Sequence, residues 1–115
     1  MRIYISGAIT DNANCDKQFS RAEQWLKLND NEVVNPLKVC AALPVQFTHE
    51  EYMQVCFKLI DLCDAVFVLM GYEKSKGAIA EISYAKATGK RIRYQSKQWA
   101  LRKANIDEAS NEQTD

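Results

Sequence analysis

The 115-residue chain lacks an excess of charge of either sign: fifteen lysines and arginines stand against fifteen acids. Proteins that hold nucleic acid through the phosphate backbone usually show a basic surplus, so composition gives no argument for a polymeric nucleic-acid partner. Histidine is nearly absent, with His49 the sole example, which makes a histidine-based metal site improbable. The four cysteines, Cys15, Cys40, Cys56 and Cys63, show no C-x-x-C spacing, so neither a zinc knuckle nor a disulfide framework is expected. Cys15, Cys40 and Cys63 read as small apolar packing residues. No apolar run approaches the ~18 residues that suggest a membrane span, and the N-terminus carries no leader pattern. The expectation is therefore a cytoplasmic protein with no membrane contact. Internal repeats and low-complexity tracts are also missing.

What is present is ordinary in bulk, with 47% apolar and 26% charged residues, enough for one domain with a single core. Ile3 to Ser6 is β-rich and is broken by Gly7, a first strand ending in a turn. About Asn14 to Leu28 carries Phe19, Ala22, Trp25 and Leu26 at helical spacing, with Lys17, Arg21 and Lys27 on the wet side. Val33 to Asn35 is a short second strand stopped by Pro36. Residues 37–48 form an irregular connection with a turn of helix near Val39 to Ala42. Thr48 or His49 starts a helix whose first turn holds Glu50 and Glu51 and whose buried side is Met53, Cys56, Phe57 and Ile60.

Ala65 to Met70 is apolar throughout, as a parallel strand covered on both faces should be. A helix follows from about Gly77 to Thr88, capped by Gly89, and Arg91 to Tyr94 makes a fourth strand. The order β-α-β-α-β-α-β predicts an α/β fold, a three-layer α/β/α sandwich with a mainly parallel sheet of flavodoxin- or Rossmann-like type. The expected domain spans 1–95, and 96–115 is a polar extension, partly disordered, in which Trp99 and Leu101 dock a short helix.

The most informative stretch is Asp64 to Glu81, DAVFVLMGYEKSKGAIAE. A strand runs into a loop holding Gly71, Ser75 and Gly77, and then into a helix bearing Glu81. In open α/β sheets ligands bind beyond the carboxyl ends of the strands, where helix N-termini present free N–H groups to anions. A carboxylate there sits beside whatever the loop holds, which suggests a small phosphorylated or sugar-bearing ligand. Ser75 reads as a helix cap, a role compatible with contacting phosphate, and Lys74 or Lys76 adds charge.

Several pieces occur in a defined order: IYISGAIT, EVVNP, EEYM, CDAVFVL, then G-Y-E-x-S-x-G-A-x-x-E from Gly71 to Glu81, then A-x-x-x-G-K. Over residues 1–95 the chain resembles the nucleoside 2-deoxyribosyltransferase-like superfamily, in particular its small, mostly phage and bacterial DUF4406 branch. The resemblance implies that Glu81 attacks the anomeric carbon of a nucleoside or nucleotide, passing the sugar to another base or to water. A carboxylate suits an oxocarbenium-like transition state, which it stabilises and then traps. Serine at the position of Ser75, in S-x-G-x-x-x-E, matches the nucleotide hydrolases of the group, which bind a 5′-phosphate; an aspartate there marks the nucleoside transferases. Ser6, Gly7 and Ala8 match the first-strand turn that lines the base and sugar site, with Gly71 and Gly77 on the second loop. Tyr4 and Tyr72 are candidates for stacking or gating, or for plain packing. The group also implies no metal or organic cofactor, its chemistry using carboxylates alone, and homo-oligomers whose sites a neighbouring subunit completes, with Asn35 or the segment near Trp99 in that role.

One departure stands out. Active relatives carry an aspartate eight residues before the aspartate that opens the third strand. Asp64 opens that strand here, but the position eight before it is Cys56, a weak hydrogen-bond donor. Asp61 lies five residues on and is displaced around the helix. General acid assistance is worth about 10²–10⁴ in rate, so two functions stay open. One is cleavage or transfer at the N-glycosidic bond of a nucleoside 5′-monophosphate. The other is a catalytically weak or inactive protein that binds a nucleotide-derived ligand.

Overall fold

A computed structural model of the chain describes residues 1–96. Four strands, β1 (Arg2–Ser6), β2 (Glu32–Val34), β3 (Ala65–Val68) and β4 (Arg91–Tyr94), form one parallel sheet in the order β2-β1-β3-β4. Helices α1 (Cys15–Leu28), α2 (Pro36–Val39), α3 (His49–Asp61) and α4 (Lys76–Ala87) supply the crossovers. Short 3₁₀ turns occupy Cys40–Ala42 and Tyr72–Lys74. No helix among the described residues is long and apolar enough to cross a membrane. The connection after β2 is more ordered than the sequence predicts. Pro36 supplies a preset φ at the first helical position, and Asn35 Oδ1 accepts the Leu37 N–H, so α2 forms there.

The alternation along β1 divides the core into two layers. Ile3 and Ile5 face α1 and pack with Phe19, Ala22, Leu26, Phe67 and Leu69. Tyr4 points to the opposite side, where α3 and α4 contribute Cys56, Ile60, Ile82 and Ala85. Successive side chains on a strand leave by opposite faces, so Ser6 shares the face of Tyr4. β3 is buried at every position, being covered by both layers. This is the three-layer arrangement that the order of elements predicts.

The ends of the helices follow from local chemistry. Thr48 and Glu51 form a capping box at the start of α3: Thr48 Oγ1 accepts from Glu51 N, and the Glu51 carboxylate accepts from Thr48 N. Ser75 Oγ accepts from Ala78 N and caps α4. Gly71 (φ 90°) and Gly89 (φ 76°) take the left-handed conformation at the turns that bracket α4. Beneath α1, Glu23 is buried and meets Lys27 Nζ at 2.8 Å, Lys38 Nζ at 3.0 Å and Asn35 Nδ2 at 3.0 Å. These three contacts tie α1 to the segment that follows β2.

Candidate active site

Because β1 lies between β2 and β3, the chain leaves the carboxyl ends of β1 and β3 toward opposite faces of the sheet. A crevice opens between the two exits, as expected at a topological switch point. It is a cleft of roughly 1020 Å³, walled by Gly7 to Asn12 after β1, by Met70, Gly71 and Lys74 to Ala78 after β3, and by the start of α3. That is large for a small-molecule site and leaves room for a nucleotide-sized ligand.

Glu81 forms part of its floor. Ala78, Glu81, Ile82 and Ala85 are the buried residues of α4, so an acid occupies the helix's apolar stripe. Glu81 lies in the second turn of α4. Its carboxylate is only 6% exposed and is held at both oxygens. The Tyr4 hydroxyl donates to Oε2, and Ser6 Oγ donates to Oε1 at 2.8 Å. Burial pushes its pKa up to about 7, against the opposing pull of hydrogen bonds from Tyr4, Ser6 and Cys56. Tyr4 is pushed well above the ordinary tyrosine value, first by burial and then by the Glu81 charge, so its proton stays in place.

Gly7 and Gly77 bring backbone to the cleft for different reasons. A Cβ on Gly7 would come within 2.9 Å of Leu69 Cδ1 and 3.0 Å of Leu69 Cβ, so the β1 turn can lie against β3 only without a side chain. A Cβ on Gly77 would sit 3.6 Å from Met53 Sδ, 3.8 Å from Ser75 Oγ and 3.9 Å from His49 Cε1. Those are ordinary contacts, so glycine here keeps the mouth of α4 open rather than relieving strain. Lys74 and Lys76 flank this helix start on the cleft wall.

Glu81, Gly7, Ala8, Gly71, Ser75 and Gly77 therefore share one cleft, with Ser6 buried directly behind Glu81. Other residues singled out from the sequence lie elsewhere. Tyr4 is fully buried and offers no ring face to a ligand; its hydroxyl serves Glu81 instead of stacking. Tyr72 packs on Tyr94 at 5.4 Å between centroids and borders a separate small hollow with Met70 and Gln95. Asp64 sits at the amino end of β3, where its carboxylate accepts from Arg2 N at 2.9 Å, across the sheet's length from the cleft. Asp61 accepts from the Tyr84 hydroxyl at 2.6 Å on the exposed side of α3 and α4. Asn35 is buried and spends its amide on Leu37 and Glu23, so it is not presented to a neighbouring subunit. Trp99 and Leu101 lie outside the described residues.

Cys56 is completely buried beneath Tyr4 and Glu81 and does not reach the cleft wall. Burial pushes its thiol up to about 12, with Tyr4 opposing, so near neutral pH it is neither a thiolate nor an effective acid. Sequence reasoning passed over other residues on the walls: Asn12, Gln18, Cys40 and Tyr52. Tyr52 follows the capping box by one residue, and Gln18 stands in the first turn of α1. Both positions open toward the carboxyl edge of the sheet, a signal available once the strand order is known.

A parallel sheet of this order, with a buried acid on the floor of its switch-point cleft, defines a doubly wound three-layer α/β domain. The chain belongs to the DUF4406 family, described as a domain of unknown function, which matches residues 1–94. Two solved structures share the architecture. One is a 2-deoxyribosyltransferase from Bacillus psychrosaccharolyticus, at 23% identity and a TM-score of 0.64, covering 82% of this chain and 71% of that one. The other is the CMP N-glycosidase BcmB of Clostridium botulinum, at 21% identity and a TM-score of 0.59, covering 82% and 70%. At these identities the likeness establishes the fold. No curated protein matches the chain.

Proposed function

We infer that the protein cleaves the N-glycosidic bond of a nucleoside 5′-monophosphate, by hydrolysis or by transfer of the sugar to a second base. The observation that carries this reading is Glu81: a buried carboxylate, oriented at both oxygens by Tyr4 and Ser6, on the floor of a nucleotide-sized cleft. Two proteins that share the fold support it, one described as a 2-deoxyribosyltransferase used to synthesise nucleosides and the other as a CMP N-glycosidase.

In the reaction, a Glu81 oxygen attacks the anomeric carbon as the carbon–nitrogen bond breaks. The bonding electrons leave with the base, which takes a proton from solvent in the open cleft, and the water or base that attacks next returns one to it. Water or an incoming base then attacks the same carbon and frees the carboxylate. Tyr4 and Ser6 favour the ionised form of Glu81 that attack requires, against the larger opposing effect of burial, and they fix the direction of its lone pairs. The α4 N-terminus, with Ser75, Gly77 and the flanking Lys74 and Lys76, receives the 5′-phosphate through backbone N–H groups and positive charge.

A second reading rests on Cys56. Where the resemblance calls for an aspartate, the chain carries a buried, protonated thiol that does not line the cleft. A protein with that change binds a nucleotide and turns it over slowly or not at all. Incubating the chain with (deoxy)nucleoside monophosphates and measuring free base separates the two readings. Base release that disappears in Glu81→Ala supports the enzyme. Thermal stabilisation by a nucleotide without base release supports the binder. In that case Cys56→Asp is expected to restore turnover.

A further inference from the structure

Across the cleft from the α4 N-terminus, Asn12 in the loop before α1 and Gln18 in its first turn form a pair of side-chain amides whose orientation the surrounding hydrogen bonds settle. Asn12 Oδ1 accepts from the Asn14 backbone N–H at 3.2 Å. Asn12 Nδ2 donates to the Ala8 carbonyl at 2.9 Å, so the amide can be placed only one way round. The second hydrogen on Nδ2 goes to Gln18, 2.8 Å away, and the Gln18 atom that receives it must be the oxygen. Gln18 therefore turns its amino group, a donor only, away from Asn12. Among the described residues no acceptor meets that group, and Gln18 lines the cleft with Asn12 and Glu81.

The geometry points to Gln18 as a specificity residue for the base, its amino group selecting nucleotides that present a carbonyl oxygen over those with an amino group in the same place. The inference rests on the nucleotide reading above. With the anomeric carbon at Glu81 and the phosphate at Ser75 and Gly77 on the β3 side, the base extends toward the β1 side, where Gln18 stands. An oxo group there accepts the hydrogen bond. An exocyclic amino group sets donor against donor, and neither pairs with the other. A site built to make one hydrogen bond rejects ligands that cannot complete it far more strongly than it rejects small changes of apolar shape. Asn12 is the positioning residue, because its two backbone anchors decide which end of Gln18 faces the ligand.

Calorimetric titration of the full-length chain carrying Glu81→Gln, so that nothing turns over, tests this with two matched pairs in both sugar series. Inosine against adenosine monophosphate, and uridine against cytidine monophosphate, each exchange an oxo for an amino group. The expected result is tighter binding of the oxo member of at least one pair by about ten-fold or more. In Gln18→Glu that preference inverts, because a carboxylate can only accept, while Asn12 keeps its partner and the fold its stability. In Gln18→Met the ratio falls to near one. Members of both pairs binding equally, or an oxo preference that survives Gln18→Glu, overturns the role of Gln18 and leaves the nucleotide reading standing. Failure of every monophosphate to bind overturns that reading, and the role of Gln18 with it.

Discussion

Glu81 is an acid whose charge the fold opposes and whose proposed chemistry needs that charge. Its folded pKa, near 7, lies above the value of about 4.5 expected in the unfolded chain. Between those two values the folded state binds more protons, so the stability Glu81 contributes is present below pH 4.5 and is lost as pH rises through 7. The shift corresponds to about 3 kcal/mol. Glu81→Gln keeps one acceptor for Tyr4 and one donor for Ser6 without the charge. It is expected to raise the unfolding free energy at pH 8 by up to about 3 kcal/mol, with the gain fading toward pH 4.5 in denaturant titrations at each pH. Residues differ in how far the sequence announces them. The spacing of Ser75, Gly77 and Glu81 is local and readable. The partners of Glu81 are not, since Tyr4 and Ser6 lie 77 and 75 positions away and only the sheet register brings them together. Alternation along β1 says that Tyr4 and Ser6 share a face, but not that α4 covers it.

At the scale of elements, the two glycines make opposite predictions. Gly7 lies against the fully buried Leu69, so Gly7→Ala is expected to cost about 1–3 kcal/mol, read as a lower denaturation midpoint at unchanged slope. Gly77 stands in the first turn of α4, where an added Cβ would meet only ordinary contacts. There alanine favours the helix by up to about 1 kcal/mol, so Gly77→Ala keeps or raises the melting temperature. The added methyl nevertheless intrudes where the phosphate would lie. Affinity for a 5′-monophosphate is expected to fall about ten-fold, with affinity for the matching nucleoside unchanged. Equal losses for both ligands would place the phosphate elsewhere. Helices α3 and α4 were legible because their caps, Thr48 and Ser75, carry local signatures. α2 was not, because its cap Asn35 is ordered partly by Glu23, twelve residues earlier on another element.

For the molecule as a whole, the order of hydrophobic segments sufficed for a three-layer parallel sandwich, since β3 is apolar throughout and β1 alternates. The walls of the cleft were harder to foresee: Gln18, Cys40 and Tyr52 come from three separate segments and meet only when the sheet order is set. Glu23 shows the same dependence, an acid on the wet-looking stretch of α1 that the folded chain buries. Burial raises its pKa, but Lys27, Lys38 and Asn35 outweigh burial and hold it near 2. The stability it contributes is therefore present above pH 4.5 and lost as pH falls toward 2. Glu23→Gln is expected to cost about 2 kcal/mol at pH 7 and progressively less below pH 4.5. Glu23 and Glu81 together favour maximum stability near pH 4.5, on the acid side of the range in which Glu81 is ionised for the proposed attack.

Release of free base from a 5′-monophosphate, followed from pH 5 to 9 with the native chain and with Glu81→Gln, bears most directly on the central claim. The native rate is expected to climb with pH to a plateau above about 7, as the buried carboxylate ionises, and the variant is expected to release nothing above background. A variant that releases base as fast as the native chain at every pH would contradict the assignment of Glu81 as the group that attacks the sugar.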